Sequence, residues 1–326
     1  MRPNLSVLLL TTLIGAGQGL FLALVTVEVF ALFGLLPPQD GRWFYAQGSV
    51  IALALLVGGL VASFFHLGRP ERAWRSAARW RTSWLSREVI VLPALMGVVF
   101  LYGAAHFLDS RVLLATLPSG AAVGATIFLG AAGTALAFAL FLCTAMIYAS
   151  LPFLREWASP LTVVNYTLMG GASGFTLAAA FAAGFAPDLP RFYAACALVL
   201  TLLALVARVA SLIRNRRLRP KSTLQTALGI KHPRIEQKSQ GFMGGSFNTR
   251  EFFHGRPASR VRAVRWGFLG GAFLLPVLLL AAFLAGSPAA VLLPAFVVQY
   301  AGLLAERWYF FAEANHPQNL YYQAVA

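Results

Sequence analysis

The 326 residues are 59% hydrophobic and only 11% charged, a balance that excludes an ordinary soluble enzyme. A formal net charge of +15 invites a nucleic-acid reading. The basic residues, however, sit in short segments abutting apolar stretches, which is the pattern of a topology signal and an anionic-lipid contact. Membrane lipids are therefore expected as partners, and no nucleic acid.

Eight apolar stretches follow one another, each near the roughly 20 residues needed to cross about 30 Å of hydrocarbon. They fall at about 5–35, 43–66, 88–108, 117–150, 160–186, 190–213, 263–286 and 288–311. The first is too long for a secretory h-region and has no convincing cleavage site, so it is retained as a span. The expected fold is all-α: one integral-membrane domain over residues 1–326, a bundle of eight transmembrane helices. Of the 26 Lys and Arg residues, only Arg42, Arg111 and Arg191 follow odd-numbered spans, which leaves 23 for the other face. By the positive-inside rule both termini are cytoplasmic, and the chain belongs in a bacterial inner membrane.

Within the first span, Gln18 suits an interhelical hydrogen bond, and Glu28 suits a structural role better than a proton path. The runs Gly15-Ala-Gly-Gln-Gly and Gly170-Gly-Ala-Ser-Gly fit close helix packing. The 66–87 connection carries six arginines with Trp74, Trp80 and Trp84, the residue types of an interfacial anchor. Cys143 and Cys196 lie unclustered inside spans and cannot supply an iron–sulfur cluster or a zinc site. Asn165 and Tyr166 open the fifth span, where they cap the helix, sit in the aromatic belt or line a pocket. The long 214–262 connection keeps Phe242, Phe247, Phe252 and Phe253 among its glycines. That many apolar anchors suit a partner-docking loop, against the reading of a flap packed on its own domain. Glu306 and Arg307 end the last span beside Trp308, Tyr309, Phe310 and Phe311, an aromatic run expected at the interface. Glu306 is also available to shape a site. The tail from 313 to 326 is too polar to span and is expected to clasp a partner.

The segment His66-Leu-Gly-Arg-Pro-Glu-Arg-Ala is followed after nine residues by Ser83-Trp-Leu-Ser-Arg-Glu88. His66 closes the second span and Glu88 opens the third, so both belong near the cytoplasmic boundary. Gly68 and Pro70 suit a tight reversal, Ser86 suits the N-cap of the third helix, and Glu88 suits its positive dipole end. On these residues alone, an interfacial histidine and a dipole-compensating carboxylate account for the pattern. The functional alternative is a quinone pocket. Quinone and quinol interconvert by two electrons and two protons, and their head-group oxygens need partners able to change protonation.

The pattern H-L-G-x-P-x-R-A, then S-x-L-S-x-E, resembles the membrane anchor subunits of dimethyl sulfoxide reductase complexes, the DmsC family. The match covers the eight-span layout and this loop, and more weakly Ala305-Glu-Arg-Trp-Tyr-Phe-Phe. The resemblance implies an anchor that holds no metal and exchanges electrons between the quinone pool (menaquinone or ubiquinone) and an iron–sulfur subunit. That subunit in turn serves a molybdopterin catalytic subunit. It also implies that His66, Gly68, Arg72 and Glu88 form the quinone site, with Ser86, Asn165, Tyr166 and Glu306 as further pocket or proton-route positions. The enteric dimethyl sulfoxide reductase anchor carries this motif on the periplasmic side, whereas the charge pattern here puts it in the cytoplasm. That departure is similar to the anchor of the cytoplasmic sulfite dehydrogenase (SoeABC-type) and implies sulfite oxidation with both partner subunits on the cytoplasmic side. The runner-up is a quinol-oxidising anchor of a reductase for dimethyl sulfoxide or another S- or N-oxide.

No haem is expected. His66 and His106 are the only span-associated histidines, and His106 lies 18 residues past Glu88, about 27 Å along a helix. The chain alone is expected to have no turnover with the soluble substrate. A secondary transporter would need a midplane binding site where few charges occur. A purely structural anchor would share the topology without a quinone pocket.

Overall fold

The computed structural model describes residues 1–110, 112–116, 122–219, 222–236 and 252–321. Eight of its helices are long and apolar enough to cross a membrane. They are α1 (Leu5–Leu32), α2 (Gln47–Phe64), α3 (Trp84–Phe107), α4 (Ala125–Ala149), α5 (Pro160–Phe185), α6 (Pro190–Arg216), α7 (Ala258–Leu284) and α8 (Leu292–Glu313). A π-helical turn at Gly41–Ala46 leads into α2, and a 3₁₀ helix at Pro70–Arg79 fills most of the arginine-rich connection.

Local chemistry sets the helix starts. Asn4 accepts from the Ser6 amide at 3.2 Å, and Ser159 accepts from the Leu161 amide at 3.3 Å. Pro160 and Pro190 occupy first-turn positions where no donor is lost. Two expectations need correction. The N-cap of α3 is Ser83, which accepts from the Ser86 amide at 3.3 Å, and Ser86 itself donates its hydroxyl to the Ser76 carbonyl. The fourth helix begins at Ala125 rather than at 117. Ahead of it, β1 (Leu113–Thr116) and β2 (Ala122–Gly124) pair antiparallel, because apolar residues on a hairpin add hydropathy without adding helix. Residues 117–121 lie outside the described set.

Helices α1 and α5 form the centre. Their most apolar windows are 72% and 67% buried, against 28–39% for the other six. They cross in backbone contact through glycines. A methyl group on Gly174 would collide with Gly19 and the Leu20 amide, and one on Gly19 with the Gly170 carbonyl. Gly15 continues the seam, its missing Cβ falling 3.4 Å from the Gly170 Cα. In lipid no hydrophobic gain separates helix–helix from helix–tail contact, so this close approach supplies the packing energy. A second crossing of the same kind sets Gly302 of α8 against Gly271 and Ala272 of α7.

Single polar side chains tie the outer helices to this centre and to each other. Gln18 donates to the Ala137 carbonyl at 3.1 Å, Tyr193 to the Ala23 carbonyl at 3.1 Å, and Gln299 to the Thr201 hydroxyl at 3.0 Å. Substitution Gly174→Val therefore removes the α1–α5 contact and abolishes recovery of folded protein in detergent. Gly184→Val, on the same helix where an added Cβ meets nothing within 4 Å, leaves thermal stability nearly unchanged. Equal behaviour of the two variants would contradict the seam.

Candidate functional site

The sequence-marked residues divide into two groups. His66, Gly68 and Arg72 lie exposed in the connection between α2 and α3. The His66 side chain has no hydrogen-bond partner among the described residues, and partial desolvation lowers its imidazole below the ordinary histidine value. It is therefore neutral at pH 7, able to accept a hydrogen bond or a proton. Arg72 pairs only with Glu71, at 3.8 Å and with both side chains more than half exposed, so the pair contributes little. The side chains of Ser86 and Glu88 turn inward instead, 3% and 6% exposed. No hydrogen bond joins His66 to Glu88; the structure brings them only to the same end of the bundle.

Glu88 is not a surface carboxylate at a helix dipole. Thr144 of α4 donates to its Oε1 at 2.5 Å. Thr144 in turn lines a cleft of about 420 Å³ between α1, α4, α5 and α8. The apolar walls are Ile14, Phe141, Met169 and Leu303; Thr11, Thr12, Gln18, Tyr166 and Arg307 add polar groups. Gly15 and Gly170 of the central seam complete the lining, so the close helix crossing and the cleft share residues.

Behind this inner cleft sits a buried ionic cluster. Glu306 is fully buried, with Arg307 Nε 2.5 Å from one carboxylate oxygen and Arg208 Nε 2.7 Å from the other. The Arg208 contact is close but misaligned for a hydrogen bond. Arg208 also lies 3.8 Å from Glu313. Two cations and two anions therefore offset one another, the condition under which buried charge is tolerated. The Arg307 guanidinium lies over the Tyr166 ring, 4.1 Å from its centroid. Neither the Tyr166 hydroxyl nor Arg307 Nη1 has a well-aligned hydrogen-bond partner among the described residues, although the Tyr166 hydroxyl has the Arg307 guanidinium and the Tyr148 phenol as polar neighbours.

These contacts correct two expectations and add one residue. Asn165 and Tyr166 serve neither as caps nor as belt residues: Asn165 donates to the Ser211 hydroxyl at 2.7 Å and Tyr166 is 7% exposed. The run after Glu306 is core rather than interface, with Tyr309, Phe310 and Phe311 each under a tenth exposed. Phe310 stacks on Trp157, which donates to the Phe310 carbonyl at 2.9 Å. Arg208 was hidden inside an apolar stretch, although a lone arginine in a span is itself a signal.

At the opposite end, Glu28 accepts from the Tyr102 hydroxyl at 2.7 Å and lies 3.3 Å from His106 Nε2. Its role is a buried cross-link between α1 and α3. Among the described residues no three His, Cys, Asp or Glu side chains converge as a metal site. Of the long connection, residues 237–251, with Phe242 and Phe247, lie outside the described set. Phe252 stacks on His316 at 3.7 Å and its carbonyl accepts from Asn319 at 3.3 Å, joining the loop's end to the tail.

The sequence pattern of the DMSO reductase anchor subunit (DmsC) family matches residues 1–230. The chain belongs to that family. It is a multi-pass membrane anchor subunit of an oxidoreductase complex, and the matched region carries α1 to α6 with the Glu88–Thr144 contact. The anchor is also 56% identical, over the full length of both chains, to the C subunit of sulfite dehydrogenase from Allochromatium vinosum. Arg208 falls within the family match and Glu306 beyond it, so the ionic cluster joins the two parts of the anchor.

Removing the shared carboxylate leaves two buried cations short of a partner. Glu306→Gln is expected to cost about 3–5 kcal/mol, read as a large drop in Tm of the purified complex. Glu71→Gln, at the exposed pair, should cost less than about 1 kcal/mol. A Glu306→Gln variant as stable as the parent would contradict the cluster's role.

Proposed function

We propose that this chain is the quinone-exchanging anchor of a molybdopterin and iron–sulfur complex that oxidises sulfite and reduces menaquinone or ubiquinone. The sulfite assignment rests on the full-length similarity to the Allochromatium vinosum protein. Sidedness rests on the positive-inside rule: the end carrying the 66–87 connection, Arg155 and Arg214–Arg219 is the cytoplasmic one, in a bacterial inner membrane, with both termini there. The iron–sulfur and catalytic subunits then dock on that face, with the 214–262 connection and the tail as their contact. Trp74 and Trp80, 71% and 53% exposed and each with an arginine over its ring, suit the headgroup layer.

One observation carries the quinone reading. The family-matched carboxylate, Glu88, is hydrogen-bonded to a hydroxyl on the wall of an inner cleft that also holds two unpartnered polar groups, Tyr166 OH and Arg307 Nη1. The residues fit a quinone head. An apolar lining with a few placed polar groups is the usual character of a small-molecule site between helices. Its walls are mostly apolar, and its unpartnered donors suit carbonyl oxygens. When bound, the quinone supplies the acceptor for two electrons and two protons. Tyr166 and Arg307 orient the head group, Glu88 holds or releases a proton through Thr144, and Ile14, Phe141 and Leu303 keep bulk water out. His66, with Gly68 and Arg72 shaping its loop, lies outside this lining, exposed at the same end of the bundle on the side given to the iron–sulfur partner.

In the assembled complex, Glu88→Gln and Tyr166→Phe are expected to lower quinone-linked turnover about 10²-fold, the usual weight of a positioned proton-transfer group. Turnover with a soluble dye acceptor should stay near that of the parent, and His66→Ala should likewise lower only the quinone-linked rate. Quinone-linked rates unchanged in all three variants would reject the site.

A further inference from the structure

We infer that a second, outer cleft is the proton route serving the inner one, with the Tyr166 hydroxyl and the Arg307 guanidinium at their junction. This rests on the quinone reading above and adds a pathway to it.

The outer cleft, about 290 Å³, lies between the α4–α5 connection, α5, α6 and α8 at the arginine-rich end. Its mouth carries the half-buried Glu156, Arg214 and Asn215. Tyr166 and Arg307 are the two residues that line both clefts. Except for Phe310, every residue lining the outer cleft has a polar or charged side chain. Such a lining within a helix bundle is costly unless it is paired, meets water or serves transport of charge, and here the pairing is incomplete.

Apart from Arg208 Nε and Nη2, which face Glu306 and Glu313, three polar atoms along it have no hydrogen-bond partner among the described residues: Asn165 Oδ1, Tyr166 OH and Arg307 Nη1. All three side chains belong to residues less than a tenth exposed. Buried groups of this kind are satisfied by ordered water, and a single water bridging a hydroxyl, an amide oxygen and a guanidinium relays a proton between them.

The charges do not block passage. Arg307 and Arg208 are offset by Glu306, and Arg208 further by Glu313. Arg214 turns its guanidinium to the Arg155 and Ala158 carbonyls at 3.0 and 3.1 Å. With Glu156 at the mouth, the three arginines of the lining meet three carboxylates in or beside it, so no large net positive field repels a proton or holds an anion. Beyond the junction, Thr144 and Glu88 provide a protonatable terminus on the far wall of the inner cleft. The balance is that of quinone reduction: two electrons enter from the iron–sulfur partner, and two protons enter from the arginine-rich side through the outer cleft.

The test uses the assembled complex with Cys143 and Cys196 replaced by Ala, and Ser211→Cys or Thr162→Cys introduced in the outer cleft. A charged, membrane-impermeant methanethiosulfonate is applied to vesicles of each orientation, with Asp188→Cys, exposed at the opposite end, as the control. The expected result is labelling of the cleft cysteines from the arginine-rich side alone. Labelled complex should keep its extractable quinone and its dye-linked turnover while quinone-linked turnover falls about tenfold or more. Asn165→Leu should make that turnover fall more steeply as pH rises, and Asn165→Asp should restore the parent profile. Unlabelled cleft cysteines beside a labelled control overturn the inference, as does labelling that leaves quinone-linked turnover unchanged. Absence of quinone from the unlabelled parent complex overturns the quinone reading itself, an outcome read separately by mass spectrometry.

Discussion

The backbone contact between α1 and α5 is the constraint on which the rest depends. Gly19 and Gly174 leave no room for a Cβ on either helix, and Gly15 and Gly170 carry the seam onward into the wall of the inner cleft. Two helices held this close project their larger neighbours sideways. Thr11, Thr12 and Gln18 from one helix, and Tyr166, Met169 and Ser173 from the other, converge on one space. A cleft between helices, mostly apolar with a few polar groups, thus follows from the absence of side chains beside it. Rigid elements rather than loops position these groups, which favours precise geometry in the cleft.

Charge is distributed unequally along the bundle. At the opposite end, Glu28 is held by Tyr102 and His106 as one compact cross-link. At the arginine-rich end, Glu306 sits between two arginines and is tied by Arg208 to Glu313. Removing one member of such a set is costly because the remaining charge stays buried. The cluster consequently fixes α6 against α8 and holds the Arg307 guanidinium over the Tyr166 ring. Positioning and stability here come from the same four side chains.

Much of the architecture is legible in the residues because lipid imposes a simple rule: every span must be long, apolar and helical. The glycine runs and Gln18 also read correctly, since small residues and lone amides in spans have few other uses. Three misreadings share a cause. Ser86, Asn165 and the aromatic run after Glu306 were assigned from their position near a helix end, but which way a side chain faces depends on neighbours distant in the chain. Ser86 meets Ser76, Asn165 meets Ser211 across α6, and Phe310 meets Trp157. The fourth span started late because hydropathy does not distinguish an apolar hairpin from the helix it precedes. The inner cleft was illegible for the same reason as the contacts: its walls come from four helices spread from Thr11 to Arg307. Glu88 pointed to it, yet only its contact with Thr144 reveals which way.

The account's central claim is that the seam-side cleft, rather than the exposed loop, receives the head group. The most direct measurement is photo-crosslinking of the assembled complex with an azido-quinone, followed by peptide mapping. The account predicts adducts on α4 and α5 peptides containing Thr144, Tyr166 or Met169, competed away by excess unmodified quinone. Adducts confined to the 66–87 connection, or to the end of the bundle around Glu28 and His106, would contradict it.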